Sequence, residues 1–192
     1  MKRYLAIDQS TRQTGYALFE DDGSALAYWP LVSFGYIKTP SRKTGIEAML
    51  FQADNIIQLA IRSKVQAVLY ESIYQGVNVK TSIHLARLQG AILAHCDLND
   101  IPAFEVTNAE ICGFMRIAVN TKRNAKKRAS MRMAMLDLPA GAAEYVRALL
   151  NDEPDEALTE EWGGSFCEDT ADAIVIGRAG VPHLMEVFGD DD

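Results

Sequence analysis

The sequence lacks most of what would place it outside ordinary globular chemistry. Its 192 residues include only three cysteines, Cys96, Cys112 and Cys167, widely separated and without a CxxC pair. That excludes a disulfide framework and a thiolate zinc site, and leaves the three as reduced packing residues. The three histidines, His84, His95 and His183, show no triad spacing. No stretch approaches the ~18 continuous apolar residues of a membrane span, and no basic segment leads into a short apolar core of signal type. The expectation is a soluble, intracellular chain with no membrane partner. Low-complexity tracts and internal repeats are also missing. With 48% hydrophobic residues, one domain over 1–192 could bury about 70% of its unfolded surface.

An excess of basic charge is absent too, since the net charge is −7. The distribution says more than the sum. Residues 120–133, "NTKRNAKKRASMRM", hold Lys122, Arg123, Lys126, Lys127, Arg128 and Arg132 with no acid, so the remainder carries −13. Many of those acids fall in "NDEPDEALTEE" and the terminal "GDDD". A basic patch on an acidic protein is a local anion site or a dock for an acidic segment.

What is present begins at "YLAIDQSTRQTGYALFE", where an apolar run ends on Asp8. A carboxylate at the end of a buried strand is costly unless solvated, hydrogen-bonded or bound to a cation. Residues 3–8, 14–20 and 28–39 read as an antiparallel meander, with "EDDGS" as a turn. "GIEAMLFQADNIIQLAIR" has helical spacing of its apolar residues. "VQAVLYES" reads as a buried strand ending on Glu71. A helix follows over 81–97, with Ile83, Leu88, Ala91, Ile92 and His95 on one core-facing stripe. Then come a strand "IPAFEV" and a capping box "TNAE" from Thr107 to Glu110. Segments 124–138 and 141–150 look helical, the acidic run after them reads as a loop, and "CEDTADAIVIGRAG" is a last helix. Two β-α crossovers after a meander predict a mixed α/β sheet with its later strands parallel to the first.

In that ordering the strands ending at Asp8 and Glu71 can be neighbours ~4.8 Å apart. Asp169 and Asp172, three residues apart, share one helix face. Four such carboxylates repel one another, which raises pKa values or requires cations. Hard divalent ions, Mg²⁺ or Mn²⁺, are the natural occupants. A pair of them ~3.5–4 Å apart suits phosphodiester hydrolysis.

"LAIDQSTRQTGYALF", "AVLYESIY", "SIHLARLQGAIL" and "DTADAIVIG", in this order and spacing, resemble the RuvC family of Holliday junction resolvases. The resemblance runs from residue 3 to about 135 and resumes at 168. It implies an RNase H-like fold with a mixed five-stranded sheet flanked by helices, and a homodimeric, Mg²⁺-dependent endonuclease that resolves four-way DNA junctions by paired nicks. It places catalytic, metal-holding acids on Asp8, Glu71, Asp169 and Asp172, and a base-contacting aromatic on Tyr74. The family's two functional lysines fall on Arg116 and Lys127; the charge of the basic stretch itself marks Lys122, Arg123, Lys126 and Arg128 as further phosphate-binding cations. The resemblance also implies that the helix over 81–97 lies in the dimer interface, and that the protein works in the cytoplasm of a bacterium or a phage-infected host cell. Three features depart from the family, the first being an arginine, Arg116, where the family has a lysine. "QST" follows Asp8 where bacterial members usually show Pro-Gly, as in bacteriophage-borne relatives, and an acidic insert spans about 137–166.

Three rivals stand beside this reading. "LAIDQST" also resembles the first phosphate loop of sugar kinases and actin-like ATPases, which need two such domains and lack the paired acids of "DTAD". A binding module without chemistry has no reason to keep four self-repelling acids. A broader branched-DNA nuclease, cutting flaps and three-way junctions, differs only in loop and dimer geometry.

Overall fold

The computed structural model describes residues 1–21, 23, 29–73, 79–151 and 156–188, the side chains of 157 and 158 aside. Strand β1 (Lys2–Asp8) pairs antiparallel with β2 (Gln13–Asp21), which pairs antiparallel with β3 (Leu31–Lys38). Helix α1 (Gly45–Ser63) crosses over to β4 (Ala67–Glu71), parallel to β1, and α2 (Val79–Asp97) crosses to β5 (Ala103–Val106), parallel to β4. The sheet order is β3-β2-β1-β4-β5, the mixed five-stranded sheet expected from the pattern of elements. Four helices follow the short capped α3 (Asn108–Phe114). They are α4 (Arg123–Ala134), α5 (Ala140–Leu150), α6 (Glu156–Trp162) and α7 (Glu168–Phe188).

Period-two alternation puts the two faces of each strand into separate cores. Tyr4, Ala6, Ala17, Phe19 and Leu69 pack with α7, α4 and α5, while Leu5, Ile7, Leu18, Val68 and Tyr70 pack with α1 and α2. Helix α7 is apolar on nearly every side and correspondingly buried from Ala173 to Val181, as a helix in the middle of a core must be. It lies so close to the sheet that a Cβ on Gly177 would stand 2.1 Å from the Phe19 ring. Its Arg178 is buried against Asp137 (2.5 Å) and donates to the Trp29 carbonyl (2.7 Å). This contact ties α7 to the chain after α4 and to the entry of β3.

Four expectations need correction. The acidic run is not all loop, because Glu156–Trp162 is helical. Its residues have adequate helix propensity, and Trp162 finds Phe34 with 6.2 Å between ring centroids. Trp29 belongs to no strand. It is buried and stacked on Tyr4, with ring centroids 4.6 Å apart. On α2 the buried stripe is Leu88, Ile92 and Cys96, and Ile83 is 46% exposed. Finally, α7 does not stop near Gly180 but continues through Pro182 to Phe188, because Val181 and Leu184 on the next turn are buried. Tyr28 and, within the "EDDGS" turn, Asp22 and Ser24 lie outside the described residues.

The capping box forms as its sequence requires. Thr107 Oγ1 accepts from the Glu110 amide (3.3 Å), and Glu110 accepts from the Thr107 amide (2.6 Å). Thr107→Ala should cost about 1 kcal/mol and lower the melting temperature by about 2–4 °C. Thr107→Ser should restore it, and equal melting of all three proteins would show that the box contributes nothing.

Candidate active site

Three backbone relationships bring the acids together. Parallel pairing of Ile7 with Tyr70 sets Asp8 and Glu71, one residue on, at the same edge of β1 and β4. Antiparallel pairing sets Asp8 opposite Gly15 on β2. Gly15 in turn admits the start of α7, since a Cβ there would stand 1.9 Å from the Asp169 carbonyl oxygen. Thr170, fully buried beside Asp169, donates to the Gly35 carbonyl on β3 (3.1 Å) and so fixes the rotation of that first helical turn. Asp172 follows one turn later on the same face.

The result is a cleft of about 230 Å³ lined by Asp8, Glu71, Asp169 and Asp172 on one side and by Arg123, Lys126 and Lys127 of α4 on the other. Ile111 and Ile176 complete the lining. Asp8 and Asp172 keep some solvent contact at the cleft floor, yet protein surrounds them closely. Burial pushes the Asp8 carboxyl well above its ordinary range, and repulsion from Asp172, Glu71 and Asp169 adds to the shift. Asp172 is raised chiefly by burial, with Glu71 repelling it. Opposing that rise are the Ser130 hydroxyl, buried on α4 without a well-formed hydrogen bond, and the ammoniums of Lys126 and Lys127.

The remaining acids are held by neighbours. Glu71 faces Lys126 Nζ at 3.4 Å, and the same ammonium donates to Asn108 Oδ1 at 2.6 Å. Asp169 accepts from Gln13 Nε2 at 3.0 Å. Gln9 Nε2 donates to the Glu71 carbonyl at 3.2 Å and links the two strand ends. Lys127 pairs with Glu168 at the rim. Among the described residues no three acidic, histidine or cysteine side chains already converge on one liganding point; to share an ion, Glu71 would have to leave Lys126 and Asp169 would have to leave Gln13. The donor set fits a hard divalent cation: four carboxylates face one space, neither histidine nor cysteine lines it, and the two at the floor pay for their charge.

The structure thus brings together Asp8, Glu71, Asp169, Asp172, Arg123, Lys126 and Lys127. Other cations predicted from sequence lie elsewhere. Lys122 is exposed at the start of α4. Arg116, exposed and in the left-handed region at φ 55°, does not line the cleft. Arg128 donates to the Leu150 carbonyl (2.5 Å) and secures the end of α5. Tyr74 lies outside the described residues. Sequence reasoning missed Gln13, Asn108, Glu168 and Ser130. Glu168 was visible as an acid beside "DTAD". Gln13, 156 residues from Asp169, gave no local signal.

Comparison with known proteins gives a consistent picture. The sequence model of the family described as "Crossover junction endodeoxyribonuclease RuvC" matches residues 4–145. A protein of that description from Trichlorobacter lovleyi is 28% identical over 138 residues, covering 71% of this chain and 74% of the relative. Another, from Halorhodospira halophila, is 31% identical over 112 residues, covering 58% of this chain and 64% of the relative. Among solved structures, Thermus thermophilus RuvC in complex with a Holliday junction substrate superposes with a TM-score of 0.68 at 13% identity, over 98% of each chain. The Fowlpox virus resolvase, solved with substrate Holliday junction DNA, gives 0.59 at 14% identity over 95% of this chain and 99% of that one. These likenesses establish the RNase H-like fold.

Proposed function

The chain belongs to the RuvC family, and from that premise we propose that it is a structure-selective endodeoxyribonuclease that resolves four-way DNA junctions by paired nicks, acting as a homodimer. The observation that carries this reading is the cleft itself, where four carboxylates from two strand ends and one helix face three cations of α4. Asp8, Glu71, Asp169 and Asp172 are the residues to hold divalent cations, two Mg²⁺ per site with Mn²⁺ as substitute. When bound, such ions supply Lewis acidity and a lowered water pKa.

The chain's own groups do the rest. The acids at the ends of β1 and β4 and on α7 would hold such cations at the sheet edge. Lys127 and Arg123 bring positive charge to the scissile phosphate and stabilise the charge that develops on it. Lys122, Lys126, Arg128 and Arg116 serve the flanking backbone, whose contacts position the substrate without reading its sequence. Tyr74, three residues beyond Glu71, is the aromatic to stack on a base at the open junction centre. Two sites in a homodimer account for two nicks.

Incubation of a labelled four-way junction with the protein tests the reading. Nicking with Mg²⁺ and none with excess chelator is the expected result, and an uncut junction at any divalent concentration would overturn it. The basic face has its own test. Lys122→Gln with Arg123→Gln should weaken binding to every DNA form and flatten its log-log salt dependence by up to about 0.9 per lost duplex phosphate contact. An unchanged slope would place that end of α4 away from DNA.

A further inference from the structure

Lys126 differs from its neighbours in the basic stretch because its ammonium sits within the acid cluster rather than at its rim. It stands 3.4 Å from Glu71 Oε1 and 2.6 Å from Asn108 Oδ1, and its charge reaches Asp8 and Asp172 as well. Asn108 is a firm anchor. It opens α3 directly after the capping residue Thr107, and the Cys112 Sγ lies 3.6 Å from the same Oδ1. A neutral amide oxygen contributes no charge to the cluster; its effect is to fix where the ammonium stands. The ammonium and a divalent ion compete for one Glu71 carboxylate, and they repel each other if both remain.

Resting on the nuclease reading, we propose that Lys126 is the resident counter-cation of the acid cluster, held against Glu71 by Asn108 and displaced from Glu71 when a divalent cation binds. Lys126 then offsets the repulsion among the acids in the metal-free protein, lowers the affinity for metal, and becomes available to a DNA phosphate on metal binding. It is a positioning residue for the cation site.

The test is calorimetric titration of Mn²⁺ into metal-free protein without DNA, paired with thermal melts with and without Mn²⁺. Lys126→Gln should bind Mn²⁺ about tenfold more tightly, melt lower than wild type without metal, and gain more from Mn²⁺ than wild type does. Asn108→Ala, which keeps the charge but releases the anchor, should tighten binding severalfold. Unchanged or weaker Mn²⁺ affinity in Lys126→Gln overturns the proposal, as does an equal loss of melting temperature with and without metal, the mark of a purely structural role. If Lys126→Gln does not fold, Asn108→Ala decides, and unchanged affinity there is fatal. The two readings fail separately. Wild-type protein that cuts junctions while Lys126→Gln binds Mn²⁺ no more tightly removes the counter-cation alone. A Lys126-dependent Mn²⁺ affinity in a protein that cuts no branched DNA removes the nuclease alone.

Discussion

Asp8→Asn is expected to cut junctions more slowly by about 10³-fold or more, yet to bind them at least as well and to fold more stably than wild type without metal. The activity falls because an amide is a poor replacement for the carboxylate that both strand ends and α7 converge upon. Binding persists because a negative charge facing the phosphates is removed. Stability rises because the Asp8 carboxyl titrates well above its ordinary value of 3.8 in the folded protein, through burial and the repulsion of three acids. Between the unfolded and folded values the native state binds more protons than the unfolded state, so stability falls as pH rises through that window. Above the folded value the full penalty remains. Metal-free wild type should therefore melt progressively lower as pH rises above the ordinary carboxylate range, and Asp8→Asn should flatten that slope. Each kcal/mol of relieved repulsion would appear as about 2–4 °C. A variant that loses binding with cleavage, or melts below wild type at pH 8, would contradict this account of Asp8.

The second large effect is expected at a residue with no side chain. Gly15→Ala should destabilise the fold by about 3 kcal/mol or more, beyond the usual range of overpacking, and reduce cleavage in whatever folds. The added Cβ would stand 1.9 Å from the Asp169 carbonyl oxygen and 2.2 Å from its carbon. These are backbone atoms that can yield only if the start of α7 moves away from β2. That movement carries Asp169 and Asp172 away from Asp8, which pairs with Gly15 across the strands. A melt lowered by roughly 6–12 °C is the expected reading. Gly113→Ala, where a Cβ meets nothing within 4 Å, serves as the control. A Gly15→Ala protein melting with wild type would show that β2 and α7 are not in such close contact.

These two positions also mark how far the sequence could be read. Asp8, Glu71 and the pair in "DTAD" were legible because each breaks an apolar pattern at the end or on the face of an element. A buried acid among core positions demands an explanation that pattern alone supplies. Thr107 and Glu110 were legible for the same local reason. The β1–β4 pairing followed from element order, with the register then fixing which acids met. Gly15 was not legible as the hinge of the site, because its role depends on α7 arriving from the far end of the chain. Gln13 likewise acts through Asp169, and Asn108 through Lys126 as well as its local contact with Cys112. The helical Glu156–Trp162 was obscured by its acidity, which signals solvent contact without choosing between helix and loop. The last helix, read as ending at Gly180, runs on through Pro182 to Phe188 because Val181 and Leu184 on the next turn are buried. Within the basic stretch, composition marked a cationic face but could not assign its members. Lys126 and Lys127 adjoin in sequence, yet one enters the cluster at Glu71 and the other pairs with Glu168 at the rim.

The most direct measurement compares a four-way junction, a flap and a linear duplex of equal length, each strand labelled in turn, cut by wild type and by Asp8→Asn with Mg²⁺ and with chelator. Wild type with Mg²⁺ should nick two opposed strands of the four-way junction at matching positions, far faster than it cuts flap or duplex, while chelator should abolish both nicks and Asp8→Asn should slow both by about 10³-fold or more. Cleavage of duplex or flap at the same rate, or junction cleavage that chelator and Asp8→Asn leave undiminished, would contradict this account.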